Sequence, residues 1–139
     1  MVHLSSAAAT MADYQSLIGL EWEYGKQDCY TIVRRYFALQ HIELPDFPRP
    51  NDIENSKSIY LSQASALGFK SVSFEQRQVG DVAIMKLGTA EPMHAAIFVE
   101  PWRILHHCQH RVSGVDWVRR YHIESIWAIY RHAARPSAG

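Results

Sequence analysis

A cysteine and two histidines are the side chains of this sequence best suited to chemistry. Cys29 follows an aspartate at the start of an apolar stretch, His94 opens a second apolar run, and His106 lies twelve residues later. A thiol can act as a nucleophile, one imidazole can carry its proton to a leaving amine, and a second polar group can orient that imidazole. These residue types together predict hydrolysis of an amide bond through a thioester.

Cys29 is predicted to lie in the first turn of a helix. Apolar residues recur at spacings of three and four through residues 27–39, and Asp28 stands where an N-cap is expected. The free amides and the dipole at that end of a helix stabilise a thiolate, so we expect a lowered thiol pKa and a nearby oxyanion site. The alternative is that Cys29 is a small buried apolar residue, as most free cysteines are.

The two histidines are predicted to meet across a hairpin. His94 begins one predicted strand and His106 lies on the next, so an antiparallel pairing would bring their rings side by side. His107 must then point to the opposite face of its strand. Only one of this adjacent pair can orient His94, and the sequence alone does not decide which.

A zinc site is the competing hypothesis for the same region. His106-His107-Cys108-Gln109-His110, together with His94, offers imidazole and thiolate ligands. The sequence has no second cysteine-rich knuckle, and alternation along a strand divides the segment between two faces. We therefore expect neither a metal nor another cofactor.

Length and composition indicate one compact domain. The chain has 139 residues, 47% of them apolar and 20% charged, and its 14 basic residues balance its 14 acidic ones. This balance lacks the basic excess of a nucleic-acid-binding protein, and no apolar run approaches the roughly 20 residues of a membrane span. Two cysteines are too few for a disulfide framework and favour synthesis in a reducing cytoplasm. We expect a loose leader over residues 1–10 and a single domain over 11–139.

Helical patterns come first in the chain and strand patterns follow. We expect helices over residues 14–22, 27–39 and from Asn51 or Asp52 to Leu67, with an extended proline-rich loop over 43–50. Four strands are predicted, over residues 79–85, 94–99, 103–108 and 126–131. This order favours an α+β domain with a mostly antiparallel sheet.

Three motifs resemble the NlpC-type cell-wall cysteine peptidases, a papain-like family. They are Asp28-Cys29, Gly80-Asp81-Val82 and His94-Ala-Ala-Ile-Phe-Val99. Within that family the sequence is similar to the peptidase domains of tail-tip proteins of lambda-like phages, over roughly residues 11–132. The segments that carry this likeness are Asp28 to Arg34, Leu44 to Arg49, His106-His107 and Tyr130-Arg131-His132.

The resemblance implies a papain-like fold, with N-terminal helices packed on an antiparallel sheet, and a triad of Cys29, His94 and His106. It implies a peptidoglycan stem peptide as substrate, cut at a γ-D-glutamyl–diamino-acid bond without a cofactor. It also implies other tail-tip proteins as partners, and a place in the virion tail or at the bacterial cell wall. Tyr24 is the nearest match to a family tyrosine at the oxyanion site, and Asp28 is suggested to help bind a free amine of the substrate.

The sequence departs from the cellular members of the family after the nucleophile. It has Asp-Cys-Tyr-Thr where they usually have Asp-Cys-Ser-Gly, so contacts of that serine do not carry over. Two alternatives stay open at this point. One is a structural tail component with a vestigial triad, and the other is an amidase or acyltransferase on the same fold.

Overall fold

The computed structural model describes residues 14–134. The helices are α1 (Cys29–Ala38), α2 (Ile59–Gln63) and α3 (Arg120–Ser125), preceded by a 3₁₀ turn at Tyr14–Leu17. The strands are β1 (Phe69–Val72), β2 (Val82–Met85), β3 (His94–Glu100), β4 (Arg103–His106), β5 (Gly114–Trp117) and β6 (Ile126–His132). The predicted leader over residues 1–10 lies outside the described residues.

The strands form one antiparallel sheet in the order β1-β6-β2-β3-β4-β5. This confirms the predicted α+β class. The central strands β2 and β3 are buried on both faces, because α1 packs against one face and loops and aromatic side chains cover the other. Alternation explains the division, since Ile97 joins the helix-side cluster and Phe98 joins the opposite one.

The helix that carries the cysteine begins and buries its apolar face as predicted. Asp28 is the N-cap, with Oδ1 accepting from the Thr31 amide at 3.0 Å. The apolar positions at three- and four-residue spacing point into the core. The fully buried ones include Ile32, Tyr36 and Phe37. Packing of this stripe on the sheet fixes where the first residue of α1 lies.

Two of the predicted helices are shorter than expected. The first is a single 3₁₀ turn, which is followed by Gly19 at a φ of 84°. The third begins at Ile59 after the N-cap Ser58, so the predicted start at Asn51 or Asp52 was wrong. Residues around Asp52 form a local turn instead, in which the Ser56 amide donates to the Asp52 carbonyl.

The sheet also contains elements that the sequence patterns did not predict. The four predicted strands correspond to β2, β3, β4 and β6, whereas β1, β5 and α3 were missed. β1 and β5 are the edge strands of the sheet and are only half-buried or exposed, so they lack a strong apolar alternation.

The Gly80-Asp81-Val82 motif has a structural role. Gly80 has a φ of 95°, which favours glycine, and its amide donates to the Phe98 carbonyl. Asp81 is fully buried and accepts two hydrogen bonds from the Arg131 guanidinium, at 2.9 and 2.8 Å. This bidentate ion pair joins the residue before β2 to β6. It therefore fixes the position of β2, which is the strand that pairs with β3.

None of the helices described between residues 14 and 134 is long and apolar enough to cross a bilayer.

Candidate active site

Each residue of the predicted triad is the first or the last residue of a helix or strand. Cys29 is the first residue of α1, His94 the first of β3 and His106 the last of β4. The hairpin of β3 and β4 pairs Ala96 with His106. His94 lies two residues before Ala96 in β3 and therefore on the same face of that strand. The three side chains are therefore positioned by the pairing of β3 with β4 and by the packing of α1 against these strands.

The two histidine rings are hydrogen-bonded to each other. His94 Nε2 lies 2.8 Å from His106 Nδ1, and His106 Nε2 lies 2.7 Å from Asp116 Oδ2. A carboxylate only accepts, so His106 must carry its proton on Nε2 and accept at Nδ1. His94 therefore donates from Nε2, and its Nδ1 keeps the lone pair that a base needs.

Asp116 is a member of this chain that the sequence reasoning missed. It lies on β5, beside Ile104 of β4, and its side chain is 61% exposed while the His106 side chain is only 4% exposed. The signal was weak because β5 is a short edge strand. Only the pairing of β4 with β5 brings this carboxylate under the His106 ring.

A cavity of about 230 Å³ opens in front of Cys29 and His94. Tyr60, Met93 and Cys108 line it, together with the aromatic rings of Trp22, Tyr24 and Tyr30. Its walls combine apolar rings with a small number of polar groups, which is the usual lining of a ligand-binding pocket.

The Cys29 thiol is hydrogen-bonded within this cavity, but not to histidine. Its Sγ lies 3.6 Å from the Met93 carbonyl, to which it donates, and 3.1 Å from the Tyr60 hydroxyl. Because the thiol has a single proton, the Tyr60 hydroxyl is the donor in the second contact. Of the hydrogen bonds made by these described side chains, none joins Sγ to the ring of His94, the residue that follows Met93.

Burial sets the resting protonation of both groups. It raises the pKa of the Cys29 thiol, which outweighs the opposing hydrogen bond from Tyr60, and the charge of Asp28 acts in the same direction as burial. The lowered thiol pKa expected from the helix terminus was therefore wrong. Burial, reinforced by His106, lowers the pKa of His94 to about 3. Both groups are neutral at pH 7.

Tyr60 is a second residue that the sequence reasoning missed. It lies on the short helix α2, and burial raises its pKa well above the ordinary value, so the hydroxyl keeps its proton. A neutral phenol 3.1 Å from the sulfur can donate to a thiolate as it forms. Its position 31 residues after Cys29, on a helix predicted to start elsewhere, gave no local motif to find it by.

Asp28 is already saturated with hydrogen bonds. Its side chain is buried and accepts from the Gly25 and Thr31 amides, from the Thr31 hydroxyl and from the Arg49 guanidinium. Although burial acts to raise its pKa, the bonds from Arg49 and from the amides of Thr31 and Gly25 hold that pKa below the usual value. These contacts account for Asp28 as a cap and as the partner of Arg49.

The other predicted positions are placed as follows. Tyr24 lines the cavity, but its hydroxyl donates to the Pro50 carbonyl at 2.6 Å. His107 directly follows β4, is 1% exposed and lines the same cavity, where its Nε2 donates to the Arg111 carbonyl at 2.9 Å; the ring hydrogen-bonded to His94 is that of His106. Of the residues weighed as metal ligands, His94, His106 and Cys108 place one ligand atom each within 4.8 Å of one another.

Comparison with known protein families shows the family of this chain. The family description NlpC/P60 matches residues 19–134, which is most of the sequence. The chain belongs to the NlpC/P60 family. The chain is also similar to the tail tip assembly protein K of Escherichia phage lambda, with 37% identity over 124 residues. That alignment covers 85% of this chain but only 60% of the relative's length.

Solved NlpC/P60 structures share the fold at low identity. A lipoprotein-like NLP/P60 protein of Staphylococcus aureus has a TM-score of 0.65 at 18% identity, covering 92% of this chain and 41% of its own. An NlpC/P60 protein of Bacillus cereus has a TM-score of 0.66 at 16% identity, covering 91% and 40%. The P60 domain of a Mycobacterium avium subspecies paratuberculosis antigen has 0.65 at 13%, covering 98% and 100%.

Proposed function

We propose that this NlpC/P60 chain is a cysteine hydrolase that cuts an amide bond in peptidoglycan stem peptides. The observation that carries the proposal is the hydrogen-bonded series from Asp116 through His106 to His94, ending at the cavity that holds Cys29. Such a series can orient an imidazole base beside a nucleophile, which is the arrangement of base and orienting group in serine and cysteine hydrolases.

In the first step a proton moves from the neutral Cys29 thiol to the neutral His94 ring. As a scissile carbonyl enters the cavity, the Cys29 thiol turns from Met93 and passes its proton to Nδ1 of His94, and the sulfur attacks the carbonyl carbon. Loose contacts of this kind in a free enzyme tighten when substrate is bound. The imidazolium that forms is stabilised through His106 by the negative charge of Asp116.

The oxyanion is stabilised by donors at the tip of α1. Cys29 is the first helical residue, so its amide has no partner within the helix, and no hydrogen bond among residues 14–134 uses it. Tyr60 is a second neutral donor beside the sulfur. We assign this role to Tyr60 in preference to Tyr24, because the Tyr24 hydroxyl donates to Pro50.

The tetrahedral intermediate then collapses to the acyl-enzyme. His94 returns its proton from Nδ1 to the leaving amine, which departs and leaves a thioester on Cys29. A water molecule next gives a proton to Nδ1 and its oxygen attacks the thioester carbonyl; the carbon–sulfur bond breaks, the carboxylic acid product is released, and His94 returns the proton to the sulfur, which restores the Cys29 thiol. No cofactor takes part in either half of the reaction.

The substrate and setting follow from the family and from the phage relative. We propose the γ-D-glutamyl–diamino-acid bond as the site of cleavage, and the virion tail or the bacterial cell wall as the place of action, with other tail-tip proteins as partners. Because the chain spans about 60% of the phage relative, this proposal concerns one domain of a tail-tip assembly. Recovery of the chain in purified tail particles would support it, and its presence only in host lysate would contradict it.

Digestion of purified peptidoglycan tests the activity. Mass spectrometry should show new muropeptide ends with the wild-type chain and none with Cys29→Ala. Cys108→Ala is the matched control, since it removes the other cysteine of the cavity and should leave cleavage intact. Full cleavage by the Cys29 variant would refute the assignment.

The absence of a hydrogen bond between Cys29 and His94 favours a second candidate, a tail component with a vestigial triad. The same digestion separates the two, because a vestigial triad gives no products with wild type. An amidase or acyltransferase on this fold would also need Cys29 and would differ in the bond or acceptor used. The mass of the products distinguishes those outcomes.

A further inference from the structure

Cys108 adds a thiol to the pair of hydrogen-bonded histidines. It lies two residues after His106, just beyond the end of β4, and its Sγ is 3.7 Å from His106 Nδ1. The same nitrogen is 2.8 Å from His94 Nε2, and the three ligand atoms lie within 4.8 Å of one another. The proposed hydrolysis makes no use of Cys108.

We propose that His94, His106 and Cys108 bind one zinc ion, or a similar borderline divalent cation, and that the bound ion switches the enzyme off. Two imidazoles and one thiolate form a three-ligand set that suits zinc and leaves a fourth position for water. Zinc–nitrogen bonds of about 2.0 Å place two tetrahedral nitrogen ligands roughly 3.3 Å apart. The two rings need to separate by only about half an ångström to admit the ion.

The groups around His94, His106 and Cys108 are also compatible with a bound metal ion. His106 Nε2 is held by Asp116, and an imidazole whose second nitrogen donates to a carboxylate is the usual arrangement of a metal-ligating histidine. An open cavity of about 410 Å³ is lined by His106, Cys108 and Asp116, while His94 and Cys108 line the cavity in front of Cys29. Strand alternation does not separate the two later ligands, because β4 ends at His106 and the Cys108 sulfur lies 3.7 Å from His106 Nδ1.

Inhibition follows from the proton shifts at Cys108 and His94 when the ion binds, and this part of the inference depends on the proposed function. To bind the ion, Cys108 loses its proton to solvent, and His94 gives up the Nε2 proton that it donates to His106. The His94 ring stays neutral by taking a proton at Nδ1. That nitrogen then donates rather than accepts, so it can no longer remove the proton of Cys29.

Cobalt(II) titration of the Cys29→Ala variant tests binding without activity. A thiolate–cobalt bond gives a charge-transfer absorption in the near ultraviolet, and with Cys29 gone the described chain offers only Cys108 as its source. We expect the band to saturate at one equivalent and to disappear when zinc is added. Adding Cys108→Ala or Cys108→Ser should abolish it, whereas His110→Ala, which removes a nearby histidine outside the group, should leave it unchanged.

A missing band in Cys29→Ala, or a band that survives both Cys108 replacements, would overturn the site. The activity arm uses wild type and Cys108→Ala with added zinc. With each rate expressed relative to the same variant's rate without metal, the Cys108 variant should need more than about tenfold higher zinc for half-inhibition, and equal sensitivity would overturn the inhibitory role. If the metal-free wild type cleaved nothing, the proposed function would fail while the cobalt spectra still decided the metal site.

Discussion

At the scale of single residues, the direction of two hydrogen bonds decides which nitrogen of His94 is basic. Asp116 can only accept from His106, so His106 can only accept from His94, and Nδ1 of His94 is left with its lone pair. Of this series, His94 could be predicted because it opens a strongly apolar strand, whereas the residues alone left His106 and His107 as alternatives and the family resemblance favoured His106. Asp116 could not be predicted, because its edge strand carries no pattern.

Asp116→Asn should reduce kcat by roughly tenfold to a hundredfold with little change in KM. The amide can present its NH₂ group to His106 Nε2 and so favour the wrong tautomer, which leaves His94 Nδ1 protonated. Steady-state kinetics on a defined muropeptide measures this effect. Glu100→Gln removes another acid near the hairpin, one paired only with Arg103, and should leave kcat unchanged. Equal rates for Asp116→Asn and wild type would show that the carboxylate does not orient the pair.

Tyr60→Phe should slow alkylation of Cys29 by iodoacetamide and should lower kcat by roughly tenfold. The hydroxyl donates to the sulfur, so its loss raises the thiol pKa further and removes an oxyanion donor. Tyr24→Phe is the matched control, since that hydroxyl bonds the Pro50 carbonyl. If Tyr24→Phe proved the slower variant, the oxyanion role would belong to Tyr24 after all.

At the scale of elements, the start of α1 is held by a buried ion pair as well as by its cap. Arg49 donates to both carboxylate oxygens of Asp28 at 2.9 and 3.0 Å, and its guanidinium lies 5.2 Å from the centre of the Tyr30 ring. The extended proline-rich loop that carries Arg49 is thus fastened to the helix that carries Cys29. The cap and the loop could be predicted from Asp28 and from three prolines, but their contact required the tertiary structure.

Asp28→Ala should lower the free energy of unfolding by about 3–5 kcal/mol. The change removes the cap of α1 and leaves the Arg49 charge buried with fewer partners. Asp46→Ala also removes a partner of Arg49, but the Asp46 side chain is half-exposed, so its loss should cost less than about 1 kcal/mol. Urea denaturation of both variants measures the difference, and similar losses would mean that the pair with Asp28 is not the dominant contact.

The elements that were mispredicted share a physical cause. β1, β5 and α3 lie at the margins of the sheet, where half-exposed residues give no clear periodicity. The predicted third helix began too early because Asp52 starts a local turn, in which its carbonyl accepts from the Ser56 amide, and the helix begins only after the N-cap Ser58. The central strands and α1 were predicted because a buried stripe has to follow the geometry of its element.

At the scale of the whole molecule, several histidines are kept neutral by the fold. Burial lowers the pKa of His94 to about 3 and also lowers the pKa values of His107 and His122. His94 lies on β3, His107 directly follows β4 and His122 lies on α3. Protonation of these rings would therefore disturb the half of the sheet that carries the site. The thiol, whose pKa burial raises, belongs to the same region.

The folded protein should lose stability as the pH falls from about 6.5 toward 3. In that range the unfolded chain binds protons at His94, whose ordinary pKa is 6.5, while the folded chain does not. The stabilisation is therefore complete above pH 6.5 and declines below it. Chemical denaturation at a series of pH values should show this slope, and His94→Gln should reduce it. A wild-type free energy of unfolding that is constant across this interval would contradict the neutral state of the buried ring.

Trapping the acyl-enzyme shows whether Cys29 is the nucleophile. The chain is mixed with a muropeptide substrate, quenched in acid within the first turnovers, and analysed by intact mass and peptide mapping. We predict a thioester adduct on the peptide that contains Cys29, present in wild type and in Cys108→Ala and absent from Cys29→Ala. Cleavage that proceeds without any adduct on Cys29, or an adduct found on Cys108 instead, would show that Cys29 is not the nucleophile.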